Sequence, residues 1–94
     1  MRELERYVML HEVYSVRDSK TEVFGQPFLQ KAKGEAERSF QALANDPQTF
    51  VGKYPDDFDL YYLGQYDDYS GAFNVLQTPK HIMKAIHCVK TDKN

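Results

Sequence analysis

The sequence predicts an α+β domain, a small antiparallel sheet with one main helix packed on it. Three observations carry this. Residues 58–66 and 72–76 are β-forming runs joined by a turn-forming segment. Residues 8–16 are a third run rich in β-formers, and residues 35–45 place their apolar side chains at helical spacing. Runs of alternating β-formers bounded by turn residues read as strands, whereas apolar positions three and four apart read as one face of a helix.

Taken in order, Val8 to Val16 is the first strand. Val8, Leu10, Tyr14 and Val16 share a face with Glu12 as the one polar member, and that face is assigned to the core. Arg17-Asp18-Ser19-Lys20 follows as a turn, because Asp and Ser side chains bond nearby backbone. Val23-Phe24 and Pro27-Phe28 are interrupted by Gly25 and by Pro27, which has no N–H to donate. They read as an edge segment or extended loop, with Phe24 and Phe28 as anchors.

The main helix is drawn from a stretch starting at Gln30, with 35–45 as its firm part. Ala32, Ala36, Phe40, Leu43 and Ala44 lie on one side, and Glu35 and Glu37 complement the helix dipole in the first turn. Asn45-Asp46-Pro47 stops it, since the residue before a proline avoids the helical region. Residues 47–57 read as a loop pinned by Phe50 and Tyr54.

In the second strand Phe58, Leu60, Tyr62 and Gly64 fall on one side, and Asp59, Tyr61, Leu63 and Gln65 on the other. Asp67 to Gly71 forms the hairpin loop, with Gly71 at a positive φ. Pro79-Lys80 then opens the last element, read as a short C-terminal helix carrying Ile82, Met83 and Ile86, with a strand as the alternative because His87-Cys88-Val89 suits one as well; residues 90–94 are a disordered tail. The chain reads as a single domain over 1–94 with its structured core at about 7–88.

Composition limits the function classes. With 41% hydrophobic and 14% aromatic residues, the core must draw on tyrosine and phenylalanine for area. The single cysteine, Cys88, rules out an internal disulfide and points to a reducing compartment. No stretch has the roughly 20 apolar residues of a membrane span. Charge is uneven: residues 45–70 hold one Lys against six Asp, and residues 71–94 hold four Lys against one Asp. A general nucleic-acid binder carries a basic surplus, and the formal net charge here is −2.

Chemical motifs are sparse. The sequence contains no phosphate-binding glycine loop and no nucleophile elbow. His81, His87 and Cys88 lack further metal ligands at a supporting spacing, and the acid pairs Asp56-Asp57 and Asp67-Asp68 suit turns and solubility. No catalytic site, metal or cofactor is expected. Candidate binding residues cluster after the first strand: Arg17 and Lys20 for phosphate or an acidic partner, with Tyr14, Phe24 or Phe28 to stack bases.

Three blocks also resemble a known family. They are Tyr14 to Lys20 with Val23-Phe24 and Gln26-Pro27-Phe28; Phe40 to Pro47; and Tyr54 to Asp67 followed by Ser70-Gly71. In order and spacing they are similar to the small nonstructural protein of gokushoviruses, microviruses with circular single-stranded DNA. The blocks span about residues 14–76, and the first thirteen residues and the tail depart from the pattern. The resemblance implies a nonvirion protein in the host cytoplasm. Its task would lie in viral DNA replication or in the switch to single-stranded genome synthesis and packaging, and no catalytic residue is carried over. Two readings follow. One is an accessory module contacting single-stranded DNA. The other is a protein-interaction module whose hairpin tyrosines and acidic 45–70 segment meet a viral or host replication protein or a second copy. Sticky surface beyond what one domain covers predicts a homodimer or larger assembly.

Overall fold

The computed structural model describes residues 9–90. Its elements are β1 (Leu10–Asp18), β2 (Val23–Phe24), β3 (Phe28–Gln30), α1 (Lys33–Ala44), α2 (Phe50–Lys53), β4 (Phe58–Asp67) and β5 (Ala72–Lys84), with 3-10 turns at Pro55–Asp57 and Ala85–Cys88. All strand pairs are antiparallel, in the order β2-β1-β4-β5, and β3 pairs with the same edge of β1 as β2. The α+β expectation holds broadly, with one main helix and strands as the larger part. Of the tail expected from Lys90 on, Lys90 itself is fixed by its N–H bond to Asn45, while residues 91–94 and the start of the first strand at Val8 lie outside the described residues.

β1 runs two residues further than its local pattern suggests. Arg17 is opposite Asp59 and Asp18 opposite Phe58, so ladder pairing overrides the turn signal of Asp18. The turn closes just beyond. Asp18 Oδ1 accepts from the Lys20 N–H at 2.9 Å, and Glu22, at φ 62°, donates its N–H to the Asp18 carbonyl at 2.8 Å. β2 and β3 are separated at Gly25 to Pro27, where the Gly25 N–H donates to the Val16 carbonyl at 2.8 Å and the Ser15 hydroxyl to the Gly25 carbonyl at 2.8 Å. Pro27, without a donor, sits in that break.

α1 buries Ala36, Phe40 and Ala44 against Tyr14, Val51, Leu60 and Ala85. Leu43, expected in the same face, lies at its rim and is 37% exposed. At the C-terminus Asn45 acts as a clasp. Its Nδ2 donates to the carbonyls of Gln41 (2.8 Å) and Cys88 (2.9 Å), and its Oδ1 accepts from the Lys90 N–H (2.7 Å). The loop expected over 47–57 contains α2, capped by Thr49, whose Oγ1 accepts from the Gly52 N–H at 3.0 Å. Val51 anchors this segment; Phe50 and Tyr54, expected to do so, are 69% and 56% exposed.

Two slips in register shape the sheet. Val13 is opposite Gly64 but Tyr14 is opposite Tyr62, so Leu63 is the extra residue of a bulge in β4. An extra residue inverts the in/out alternation. Phe58, Leu60 and Tyr62 therefore face the helix as predicted, but beyond the bulge it is Gln65 that shares their side. The Tyr62 hydroxyl donates to Glu12 Oε1 at 2.6 Å and Gln65 Nε2 to Glu12 Oε2 at 3.3 Å. Gly64 is at φ 143°, and a Cβ there would stand 2.4 Å from the Asn74 carbonyl oxygen.

The second slip corrects the expected C-terminal helix. Gly64 is opposite Val75, and Tyr62 is opposite Lys80, so Leu76 to Pro79 cross the span that β4 covers with Leu63 alone. Residues 80–84 then continue as strand against Asp59 to Tyr62, and only Ala85–Cys88 turns, as 3-10. The reason is non-local: the free edge of β4 offers backbone partners to this segment. A further offset between Leu60 and Tyr61 lets the adjacent Ile82 and Met83 both pack on the core.

Two outcomes follow. Phe40→Ala, at a side chain 1% exposed, should cost about 3–5 kcal/mol in urea unfolding, and Leu43→Ala at the rim only about 1 kcal/mol. Equal losses would contradict the packing described. Burial, then the hydrogen bond and charge of Glu12, push the Tyr62 phenol up to about 12. A group whose folded value is raised contributes stability below its unfolded value, and this one loses it as pH climbs from about 10 to about 12. Glu12→Gln should move the Tyr62 titration, followed by ultraviolet difference absorbance against Tyr62→Phe, back toward its ordinary value. An unmoved midpoint would exclude Glu12 as a contributor and leave burial alone.

Candidate nucleic-acid interface

The sheet has one side under α1 and one side away from it. On the second side a row of side chains crosses four strands. Arg17 of β1 is opposite Phe24 of β2, and its guanidinium carbon stands 5.7 Å from the Phe24 ring centroid. Phe24 meets Tyr61 of β4 edge-on, with centroids 5.1 Å apart at 71°. Tyr61 meets His81 of β5 the same way, at 5.3 Å and 84°. Asp59 Oδ2 accepts from His81 Nε2 at 2.5 Å when that nitrogen carries the proton, and lies 3.5 Å from Lys84 Nζ.

This arrangement offers aromatic surface flanked by cations. Phe24 is 42% exposed, and the His81 and Lys84 side chains are 43% and 51% exposed, so their groups reach solvent. Arg17, Ser19, Asp59, Tyr61 and Lys84 line a hollow of about 180 Å³ beside the rings. Asp59, with 15% of its side chain exposed, is held under His81 and Lys84, and the Lys84 ammonium offsets its charge locally. Aromatic rings accept any base by stacking, and guanidinium and ammonium groups meet phosphate.

The row continues toward the hairpin tip. His11 is 6.1 Å from Tyr66, and Tyr66 is 4.7 Å from Phe73, ring to ring. The β4 bulge makes this possible, because Tyr61 and Tyr66 are of opposite parity and would otherwise point to opposite sides. Asp68 closes the end of the row, accepting from the Met9 N–H at 3.1 Å and pairing with His11 Nε2 at 3.0 Å. These bonds, the His11 one foremost, hold the Asp68 carboxyl below its ordinary value. Its contribution to stability is thus present above that ordinary value and fades as pH falls through the lowered one.

Of the five residues singled out from sequence, the structure brings Arg17 and Phe24 together. Tyr14 is 2% exposed, with its ring 6.0 Å from Phe28 and 5.2 Å from Tyr62, so it offers no face to a base; Phe28 packs half-buried on the same helix side, away from Arg17 and Phe24. Lys20 opens to a different surface from Arg17. It lines a cleft of about 380 Å³ with Asp18, Phe50, Tyr54, Asp57 and Phe58. Tyr61, His81 and Lys84 are the members that sequence reasoning missed. The alternation of Asp59 and Tyr61 against Phe58, Leu60 and Tyr62 carried the signal for Tyr61. His81 and Lys84 were hidden by the helical reading of their segment.

No helix among the described residues is long and apolar enough to cross a membrane. The sequence model of the Phage ORF5 protein family matches residues 11–88, nearly the whole of the described fold. No curated protein and no solved structure gives a significant match.

Proposed function

The chain belongs to the Phage ORF5 protein family, and from that membership and the open side of the sheet we propose that it is a phage accessory protein that binds single-stranded DNA. The observation that carries the reading is the Arg17–Phe24–Tyr61–His81 row with Lys84 at its edge. Bases stack on Phe24 and Tyr61, while Arg17 and Lys84 contact the backbone. The resemblance to the gokushovirus nonstructural protein supports a microviral origin. It also supports a task in viral DNA replication, or in the switch to single-stranded genome synthesis and packaging, in the host cytoplasm. No reaction is assigned to the chain; it acts by binding.

The charge distribution sets the kind of binding. Acidic residues are concentrated over 45–70 and the net charge is −2, so long-range attraction to nucleic acid is small. Affinity then rests on stacking, which needs unpaired bases and favours single strands over duplex. Two phosphate contacts, through Arg17 and Lys84, correspond to a slope of about −1.4 in log affinity against log salt.

A second reading is favoured by a separate observation. Phe50 and Tyr54 are 69% and 56% exposed beside the 380 Å³ cleft, with Asp18 and Asp57 on its wall. Exposed aromatics with Asp18, Asp57 and Lys20 on the wall suit a segment of a viral or host replication protein that carries apolar as well as charged groups.

Fluorescence anisotropy with a labelled single-stranded oligonucleotide separates the two. Tyr61→Ala and Arg17→Ala should each weaken binding by roughly 1–3 kcal/mol with little change in melting temperature, and the salt slope should be near −1.4. Lys20→Ala, on the other surface, should leave binding unchanged. Absence of binding at low salt would overturn the DNA reading and leave the Phe50–Tyr54 cleft as the working surface.

A further inference from the structure

Register arranges the open side of the sheet as four rungs along β1. Arg17 stands between Phe24 of β2 and Asp59 of β4, and Asp59 is opposite Lys84 of β5. Ser15, Tyr61 and His81 form the next rung, and Leu29, Val13, Gly64 and Val75 the third. The fourth is His11, Tyr66 and Phe73. The DNA site proposed above uses the first two rungs and leaves the rest of this side unassigned.

The third and fourth rungs continue the first two as one apolar surface. Val13 and Ser15, 3% and 0% exposed, form its floor, and the Ser15 hydroxyl is spent on the Gly25 carbonyl at 2.8 Å, so the floor presents no free hydroxyl. Leu29 and Val75 stand at either side, 42% and 63% exposed. At the far end Phe73 is 58% exposed, more than the 42% of Phe24, and its ring lies 4.7 Å from that of Tyr66. Charge is distributed differently from the rings. Arg17 and Lys84 both stand at the near end, no Lys or Arg belongs to the third or fourth rung, and His11 is held by the Asp68 carboxylate at 3.0 Å.

We propose that one single strand runs along β1 over all four rungs, and that His11–Tyr66–Phe73 is a second stacking station that takes a base and no phosphate. The inference rests on the DNA reading above and extends it. The occupant follows from continuity and charge. A strand whose backbone is held by Arg17 and Lys84 carries further bases past that end, and the surface it meets there is apolar and finishes in exposed rings. Beside the Asp68 carboxylate a phosphate is repelled, whereas an uncharged base is not. Arg17 and His11 are six residues apart in β1, about 20 Å. Bases at a stacked spacing of about 3.4 Å cover that length in about six nucleotides. Rings accept every base, so the second station adds affinity without sequence preference.

Anisotropy with labelled oligothymidylates of roughly three to twelve nucleotides tests this. Affinity should rise about tenfold or more between about three and about six nucleotides and then level off. Phe73→Ala, at an exposed ring of the hairpin, should remove that rise and weaken binding of the longer probes roughly tenfold, with melting temperature and circular dichroism unchanged. The salt slope of this variant should stay near about −1.4, since no phosphate contact is lost. Tyr61→Ala should weaken binding of every probe. Affinity that is flat from the shortest probe upward, or Phe73→Ala binding the longer probes like the natural chain, would overturn the second station, while loss of binding in Tyr61→Ala would still support the DNA reading. A slope that flattens by about one in Phe73→Ala would place a phosphate at this rung and overturn its base-only role. Absence of binding to any probe at low salt would overturn both.

Discussion

Leu63 and Gly64 are where this structure is decided. One extra residue in β4 inverts which side chains face the helix, and the make-up of both sides of the sheet depends on that inversion. Below the bulge Tyr62, and above it Gln65, reach the same carboxylate, Glu12. On the reverse side Tyr61 and Tyr66 become members of one row. The bulge requires Gly64, because three strands converge there and β5 passes within 2.4 Å of where a side chain would begin.

The second constraint is the size of the cover. α1 is the only long helix of the described residues, and it packs over one end of the sheet through Ala36, Phe40 and Ala44. Tyr14 and Leu60 fill the space beneath, with Val51 and Ala85 at the sides. The hairpin arm of β4 and β5 extends past this cover. Leu10 at 45% exposure and Phe73 at 58% are consequences of that overhang rather than of polar composition. A small domain that leaves apolar side chains on an uncovered arm has surface available for partners.

Electrostatics divide the molecule in a way that net charge conceals. The acids of the 45–70 segment do not form one face. Asp59 lies under His81 and Lys84 on the open side of the sheet, Asp67 and Asp68 tie the hairpin tip, and Asp57 borders the Phe50–Tyr54 cleft. Several of these carboxylates are engaged in local bonds, so the open side keeps Arg17 and Lys84 with Asp59 as a partly buried counter-charge. Salt bridges of this exposed kind contribute little to stability. Their effect is to orient groups.

The sequence by itself determined the local periodicities and the points where they stop. Phe58, Leu60 and Tyr62 on one side, the helical spacing of Ala36, Phe40 and Ala44, the stop at Asn45-Asp46-Pro47 and the positive φ of Gly71, observed at 79°, all follow from short-range chemistry. It did not determine which ring lies under the helix and which on the open side. Tyr14 and Phe24 have similar neighbours in the chain, yet one lies under α1 and the other on the open side, because pairing with β4 and β2 assigns their sides. Nor did it reveal that 80–84 is strand, since Ile82 and Met83 satisfy either period and the choice fell to the free edge of β4. Tertiary structure decided these matters because register and bulges depend on which backbones meet, and side-chain direction in a sheet inverts with each single residue of offset.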